Sequence, residues 1–535
     1  MIPKIFRFIP LLFLFYSCQK PSPTQIAESV ESIIENAEMD SSFFKAYSEN
    51  GFKPLWVKSK GLKNSGMDYL EALDDIKFDG LDKEDYLSEE EALLMEKIQE
   101  SKDPALHARL DIALSHSFLK LASDLNIGKI NPSTLNIEWK MERKVPVLNK
   151  EELLMSISSG KSVKKILNSC RPDNFLYSEL SSILKRLLTK PIKETASIET
   201  PKEKIEIGQT HVSIPAISEK LWLLGDLKEQ SQSEGTEYEE DLQEAVKQFQ
   251  KRNGLFTDGI IGPDFITAIN YSYSDLVTKT EVNLERLRWL PDFIPSEKNK
   301  VIVNIPDYHL YYVSNDDTVF TSRTIVGKDY RQTPVFKAEM THLVFSPTWT
   351  LPETILWEDV IPAIQKDSDY LRKNNMKVLD FQENEIDIEE VDWEELKEIE
   401  DFTYLIRQAP GEQNPLGRVK FMFPNEFSIY IHDSPAKALF SREERTFSSG
   451  CIRVEQPEKL ASILLDGVAG WDEAKISEAM NLDEEKKINL DKTLEVWILY
   501  LTVWDEDGEM QVREDIYEMD SQLAEAMALP LLGER

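Results

Sequence analysis

The sequence predicts a multidomain α+β protein. A mostly helical N-terminal scaffold spans about 25–190, a compact three-helix unit about 205–273, and a largely β unit about 298–505, with a C-terminal extension over 506–535. Three observations carry this reading. Apolar residues recur at helical spacing in LDIALSHSFLKLASDL. Capped helical patterns succeed one another after a Pro-, Thr- and Lys-rich stretch. From about Asn283 the texture turns to apolar–polar alternation with β-branched residues. A chain of 535 residues has room for roughly three or four such units.

In the first segment Leu110, Leu114, Ser117 and Leu121 fall on one side of a helix, and Gly128 to Pro132 punctuate its end. His107 and His116 stand alone there, without the Cys or acidic neighbours of a metal site, and read as structural. The stretch TKPIKETASIETPKEK, about 189–204, reads as a linker. In the three-helix unit Ser213 is the expected N-cap of the first helix, with Pro215 in its first turn and Gly225 as its stop. Thr236 and Glu239 form an expected capping box for the second helix, which buries Leu242, Val246 and Phe249 and stops at Gly254. TDGIIGPDFITAI supplies a turn and a third short helix.

NLERLRWLPDF reads as a short amphipathic helix that opens the last unit. KVIVNIPDYHLYYVS, TVFTSRTIVGK, HLVFSPTWTLP, VKFMFPNEFSIYIHD and LEVWILYLTVW read as strands, with a turn at Asn315-Asp316-Asp317. Helices are expected around Trp357 to Ile364, around Trp393 to Ile399, and in PEKLASILLDGV.

Charge and hydropathy exclude several classes of function. The chain has 62 basic and 96 acidic residues, a net charge of −34, which lacks the basic footprint that nucleic-acid binding needs. Beyond the N-terminus no apolar run approaches the roughly 18 residues of a membrane span. At the N-terminus Lys4 and Arg7 precede the apolar run Phe8 to Tyr16, and Ser17, Cys18 and polar sequence follow. Residues 1–18 have the plan of a secretory signal, and a Cys directly after the apolar run resembles a bacterial lipoprotein signal with Cys18 as the lipidated residue. An ordinary cleaved signal or a short anchor is the alternative. The expected location is the periplasm, anchored to the outer membrane, with contact to the membrane only through that lipid.

Three cysteines, Cys18, Cys170 and Cys451, give no disulfide framework. Cys451 sits in SSGCIRV, and a free thiol in a Ser-Gly-rich loop outside the cytoplasm points to reactivity. In FSIYIHDSP, strand alternation puts Phe427, Ile429 and Ile431 on one face and Ser428, Tyr430 and His432 on the other. Cys451 follows His432 by 19 residues. A thiol attacks only as thiolate, and an imidazole is the base that can make it near neutral pH. Gly450 allows close backbone approach, and amides around Cys451 are candidate oxyanion donors. One Cys and one His are too few for zinc. On spacing alone, coincidence is the more frequent origin of such a pair.

The run HDSPAKALFSREERTFSSGCIRV resembles the active-site motif of L,D-transpeptidases: a His at a strand end, a spacer, then Ser-x-Gly-Cys-x-Arg. VGKDYRQTPVF, VFSPTWTLP, NPLGRVKFMFPN and SIYIHDSP follow the order of the large, scaffold-bearing subclass of Gram-negative envelopes. NGFKPLW, FDGLDKEDY and TVWDEDGEMQVREDIYEMD fit its scaffold and C-terminal extension. AVKQFQKRNGL and DGIIGPDFITAI resemble a small peptidoglycan-binding domain. The resemblance implies that Cys451 is the nucleophile and His432 the base, with no cofactor and no metal. It implies attack on a tetrapeptide stem, release of D-Ala, a thioester, and a 3→3 cross-link to a neighbouring stem. It also implies that carbapenems acylate the thiol. Gly450 and Cys451 are the oxyanion candidates. Arg453 either binds a substrate carboxylate or braces the loop by a salt bridge. Ser449, where this family commonly has a second His, and Tyr430 complete the expected substrate-binding set. An L,D-carboxypeptidase, in which water resolves the thioester, and a non-catalytic wall-binding scaffold remain open.

Residues about 353–408 interrupt the β texture. From Glu383 to Asp401, 11 of 19 positions are acidic and only Lys397 is basic, yet Trp393, Leu396 and Ile399 keep helical spacing. This is either a substrate-capping insertion, as the resemblance implies, or a solvated acidic loop.

Overall fold

A computed structural model describes residues 20–37, 40–145, 148–189, 195–229, 235–291, 299–315, 317–394, 396 and 402–529. The expected signal and Cys18 lie outside the described residues, as does Ile399. The chain divides into two units, one containing residues 20–129 and 145–172 and the other 130–144 and 173–529. No helix among the described residues is long and apolar enough to cross a membrane.

The first unit is helical and is built round Pro104–Ile127, whose N-cap Asp103 and N-terminal Pro start it and whose Gly128 stops it at φ +86°. Leu110, Leu114 and Leu121 are fully buried against Phe43, Tyr47, Trp56 and Tyr69. On the same helix the buried Asp111 accepts from the backbone N–H groups of Leu55 (2.9 Å), Trp56 (2.6 Å) and Val57 (3.1 Å) and from Tyr47 Oη (2.8 Å). These bonds orient the hairpin of β1 (Val57–Lys58) and β2 (Gly61–Leu62). His116 stacks on Phe43, and His107 Nδ1 lies 2.9 Å from Asp103 O.

The expected helical segment 25–190 is not one packing unit. Residues 130–144 and the helix Phe175–Thr189 belong to the second unit, where Tyr177, Leu180, Ile183 and Leu184 enter its main core and Trp139 meets Trp289 edge-on at 5.0 Å.

In the second unit, Ile214–Leu224, Glu240–Arg252 and Pro263–Ile269 form the three expected helices round Ile217, Leu221, Val246, Phe249 and Phe265. Two details differ. Ser213 makes no side-chain cap bond, and the second helix begins after Glu239, so Thr236 and Glu239 form no capping box. The end of the linker is held here, because Ile198 exchanges two hydrogen bonds with the Asn270 side chain (2.9 and 2.8 Å).

The expected short amphipathic helix is instead Tyr273–Trp289, capped by a Ser272–Asp275 box and buried on every side at its C-terminal end. Its charges are internally neutralised. Arg288 pairs with Glu285 at 2.7 Å, Lys279 with Asp520 at 2.7 Å, and Arg286 also reaches Asp520. Unpaired, charges at this depth would each cost several kcal/mol.

The strands that follow are β3 (Lys300–Asn304), β4 (His309–Ser314), β5 (Asp317–Gly327) and β6 (Phe336–Phe345). Next come β7 (Trp349–Thr350), β8 (Met376–Leu379), β9 (Glu385–Ile386) and β10 (Leu405–Gln408). After them come β11 (Val419–Met422), β12 (Ile431–His432), β13 (Thr446–Ser448), β14 (Ile452–Val454) and β15 (Lys486–Leu499). The last are β16 (Val503–Glu506) and β17 (Glu509–Val512). Nine of them form one sheet in the order β13-β5-β14-β12-β11-β6-β15-β3-β4, and β4 also pairs with β5, so the ladder returns on itself. HLVFSPTWTLP is not one strand. Ser346 at φ +44° separates β6 from β7, which belongs to another sheet.

That other sheet, β7-β10-β8-β9, is the insertion. It has its own core of Leu356, Val360, Ile361, Ile364, Leu371, Val378 and Ile406, so the insertion is a folded element, while the acidic residues between Glu383 and Glu394 lie at its surface. Trp393 packs on this core, 5.8 Å from Phe402, and donates to Ile388 O at 3.0 Å; it lies in a turn, not in the expected helix. The expected helix at Trp357 to Ile364 is present as a π-helical turn, Leu356–Val360, running into Ile361–Lys366.

Candidate active site

Two short parallel strands place the nominated side chains. Ile431 of β12 lies opposite Ile452 of β14, and His432 opposite Arg453. Paired residues share a face and alternate residues return to it. Tyr430, His432, Cys451 and Arg453 therefore point to one side, while Ile431 and Ile452, both at 0 % exposure, point into the core. The rings of Tyr430 and His432 are 5.6 Å apart.

The strand expected through FSIYIHD is shorter than its pattern. Ser428 has φ +56°, and the Asn425 side chain closes a turn by accepting from Phe427 N and Ile429 N, both at 3.1 Å. The alternation holds only from Tyr430 to His432. The turn directs the Ser428 carbonyl at the nucleophile loop, where Cys451 Sγ donates to it at 3.7 Å. The thiol also meets the Tyr430 backbone N–H and hydroxyl. His432 lies on the same face but is not among the thiol's hydrogen-bond partners; its Nδ1 is 2.5 Å from Asp433 O.

Burial pushes the Cys451 thiol up to about 11, outweighing Tyr430 and the Arg453 guanidinium, which act in the opposite direction. Burial, followed by the Arg453 charge, pushes His432 down to about 3. Both groups are therefore neutral across the physiological range. At pH 7 the thiolate is on the order of 10⁻⁴ of the total. The rate of iodoacetamide alkylation at Cys451, read by mass spectrometry of its peptide, is expected to rise about tenfold per pH unit from pH 7 to pH 10. A flat profile over that range would mean a thiolate already paired with imidazolium.

Gly450 has φ +109°, and a Cβ there would stand 3.2 Å from Ile429 Cδ1. Its carbonyl accepts from Thr333 Oγ1 at 2.7 Å, and that hydroxyl accepts from Gly327 N at 2.9 Å. Its own N–H donates to Ser448 Oγ at 3.1 Å. Gly450 is thus not a free oxyanion donor, contrary to expectation, whereas the Cys451 amide has no acceptor among the described residues. Ser449 turns outward and accepts from Arg331 Nη1 at 2.9 Å. Arg453 makes no salt bridge among the described residues, and its buried Nε has no hydrogen-bond partner there.

Sequence reasoning passed over three supporting residues. Arg331 and Thr333 lie inside the VGKDYRQTPVF run but carry no signal of their own. Tyr517, from the C-terminal extension, donates to Gly327 O at 2.5 Å and accepts from Thr333 N at 3.3 Å. A separate groove of about 940 Å³ lies on the three-helix unit between Ile214–Leu224 and Glu240–Arg252, and no residue of the Cys451 site borders it.

Comparison with known proteins agrees with this architecture. Residues 41–184 match a family model described as "Scaffold domain", 211–269 one described as "Putative peptidoglycan binding domain", and 298–471 one described as "L,D-transpeptidase catalytic domain". The chain thus carries, in order, scaffold, peptidoglycan-binding and L,D-transpeptidase catalytic domains. A Haemophilus influenzae protein named "Putative L,D-transpeptidase" is 37 % identical over 250 residues, 47 % of this chain and 50 % of that protein. The chain therefore spans about half the length of this relative. The crystal structure of an L,D-transpeptidase from Xylanimonas cellulosilytica matches at 15 % identity and a TM-score of 0.16, covering 57 % of this chain and 100 % of that one. One from Stackebrandtia nassauensis matches at 12 % and 0.22, covering 58 % and 100 %.

Proposed function

We propose that this protein is an L,D-transpeptidase that forms 3→3 cross-links in peptidoglycan through a thioester on Cys451. The observation that supports this best is the shared face of Cys451 and His432 on the β12–β14 pair, within the matched catalytic domain.

In this reading Cys451 Sγ turns from Ser428 O and attacks the carbonyl that joins the L-centre of the stem's diamino acid to D-Ala. Its proton passes to His432, since catalytic hydrogen bonds that are loose without substrate tighten in the complex. The Cys451 N–H donates to the developing oxyanion. The C–N bond breaks, His432 returns the proton to the departing amine, and D-Ala leaves. An amine of a neighbouring stem then attacks the thioester, the C–S bond breaks, and the thiol regains its proton. Tyr430 holds the thiol, and Arg453, which pairs with no carboxylate among the described residues, meets a carboxylate of the stem. The three-helix unit holds the wall.

Incubation with a purified disaccharide-tetrapeptide tests this. Dimers together with free D-Ala are expected. Tripeptide alone would mean an L,D-carboxypeptidase, and unchanged substrate a non-catalytic wall-binding scaffold.

A further inference from the structure

Arg331 joins two parts of the catalytic unit that the chain keeps far apart. Its Nη1 donates to Ser449 Oγ at 2.9 Å, two residues before Cys451, and to Asp359 Oδ2 at 2.9 Å, while Nη2 reaches Glu358. Glu358 and Asp359 sit on the π-helical turn Leu356–Val360 at the start of the insertion. A π turn inserts an extra residue, which re-aims the side chains around it.

The contact is asymmetric. The Arg331 side chain is 11 % exposed, whereas those of Glu358 and Asp359 are 57 % and 54 % exposed. The arginine is thus fixed and the carboxylates come to it. Its fixity has a visible cause. The loop it belongs to closes on Gly327, where a Cβ would collide with Arg331 O and stand 2.8 Å from Thr333 N, and Thr333 Oγ1 bonds the Gly450 carbonyl. Tyr517 clamps both ends of the same loop, at Gly327 and Thr333. A planar guanidinium with several donors suits such a junction, because it can serve a hydroxyl and two carboxylates at once.

We propose that Arg331 is a positioning residue, a latch that couples the insertion to the nucleophile loop, so that docking of the insertion sets the exposure of Cys451. This rests on Cys451 being the nucleophile of the proposed function, but the latch itself is read without turnover. The exposed half of the latch is ionic, so salt weakens it. At 1 M salt the screening length is about 3 Å.

The test compares full-length wild type, Arg331→Gln, Arg331→Lys and the double variant Glu358→Gln/Asp359→Asn, each checked for an unchanged melting profile. Amide hydrogen exchange is followed in residues 353–366, and iodoacetamide alkylation at Cys451. Both are expected to accelerate about tenfold in Arg331→Gln and in the double variant, less in Arg331→Lys, and in wild type at 1 M salt. The double variant changes only exposed carboxylates, so it keeps the test open if Arg331→Gln misfolds. If the double variant leaves both rates at wild-type values, the latch is overturned, and Arg331 serves Ser449 alone. A protein that shows the coupling but yields no dimers and releases no D-Ala overturns the proposed function and leaves the latch standing.

Discussion

Cys451→Ala is expected to reduce D-Ala release from a tetrapeptide stem by about 10⁴-fold or more, to the level of the uncatalysed reaction. The physical reason is that no second nucleophile shares the β12–β14 face. Its other members are a tyrosine whose hydroxyl burial holds strongly protonated, an imidazole and a guanidinium. The fold should survive. The thiol is only partly buried, and its bonds are one weak contact to Ser428 O and those from Tyr430, so the change in stability should stay within about 1 kcal/mol. Cys170 provides an internal control. It is a buried thiol raised to about 11, in the other unit, donating to Ile166 O at 3.4 Å, and Cys170→Ser should leave turnover intact. Intact-protein mass spectrometry adds an independent readout: a carbapenem adduct on wild type should vanish in Cys451→Ala. An adduct that persists there would refute the assignment of the nucleophile.

The architecture and the placing of Cys451 and His432 on one face were legible because each leaves a local trace. Periodicity marks the long helix Pro104–Ile127 and the strands of the large sheet, and Ser-Gly-Cys with an upstream strand-end His marks the site. What sequence hid has physical causes. Tyr273–Trp289 looks amphipathic because its sequence carries Lys279, Glu285, Arg286 and Arg288. These charges are buried and neutralised by one another and by Asp520, a partner more than 200 residues away that no periodicity reveals. The strand read through Phe427 to Ile431 fails because Asn425 folds the chain at Ser428, a side-chain effect stronger than the β-branched pattern. Gly450 reads as an oxyanion donor from its position beside Cys451. Its N–H is taken by Ser448 Oγ, a local bond that the sequence permits but does not announce. Arg331 and Tyr517 act on the site only through the tertiary fold, so nothing in their neighbourhoods distinguishes them.

Replacing residues 353–408 by a short Gly-Ser linker is expected to lower cross-linking about a hundredfold and to raise the ratio of tripeptide to dimer. The exchange is structurally reasonable because the insertion starts and ends side by side: Trp349 of β7 pairs with Gln408 of β10, so a short linker spans the gap. Its core is its own, built from Leu356, Ile361, Ile364, Leu371 and Val378, and none of these side chains contributes to the core beneath Cys451. The remaining sheet keeps β12, β14 and the nucleophile loop. What is lost is the insertion's link to that loop through Arg331, which bonds Asp359 on one side and Ser449 on the other. A tetrapeptide stem is long, and its reacting carbonyl must be kept within near-attack distance, where a displacement of about 1 Å can cost 10²-fold. The second effect follows from partitioning. The thioester is consumed by either an amine or water, and an open site favours the solvent, which is always at hand. Chromatography of the disaccharide-tetrapeptide reaction reads both quantities in one run. A folded variant with unchanged rate and unchanged ratio would show that the insertion takes no part in the reaction. A variant with a lower rate but the wild-type ratio would assign it to positioning the stem and not to excluding water.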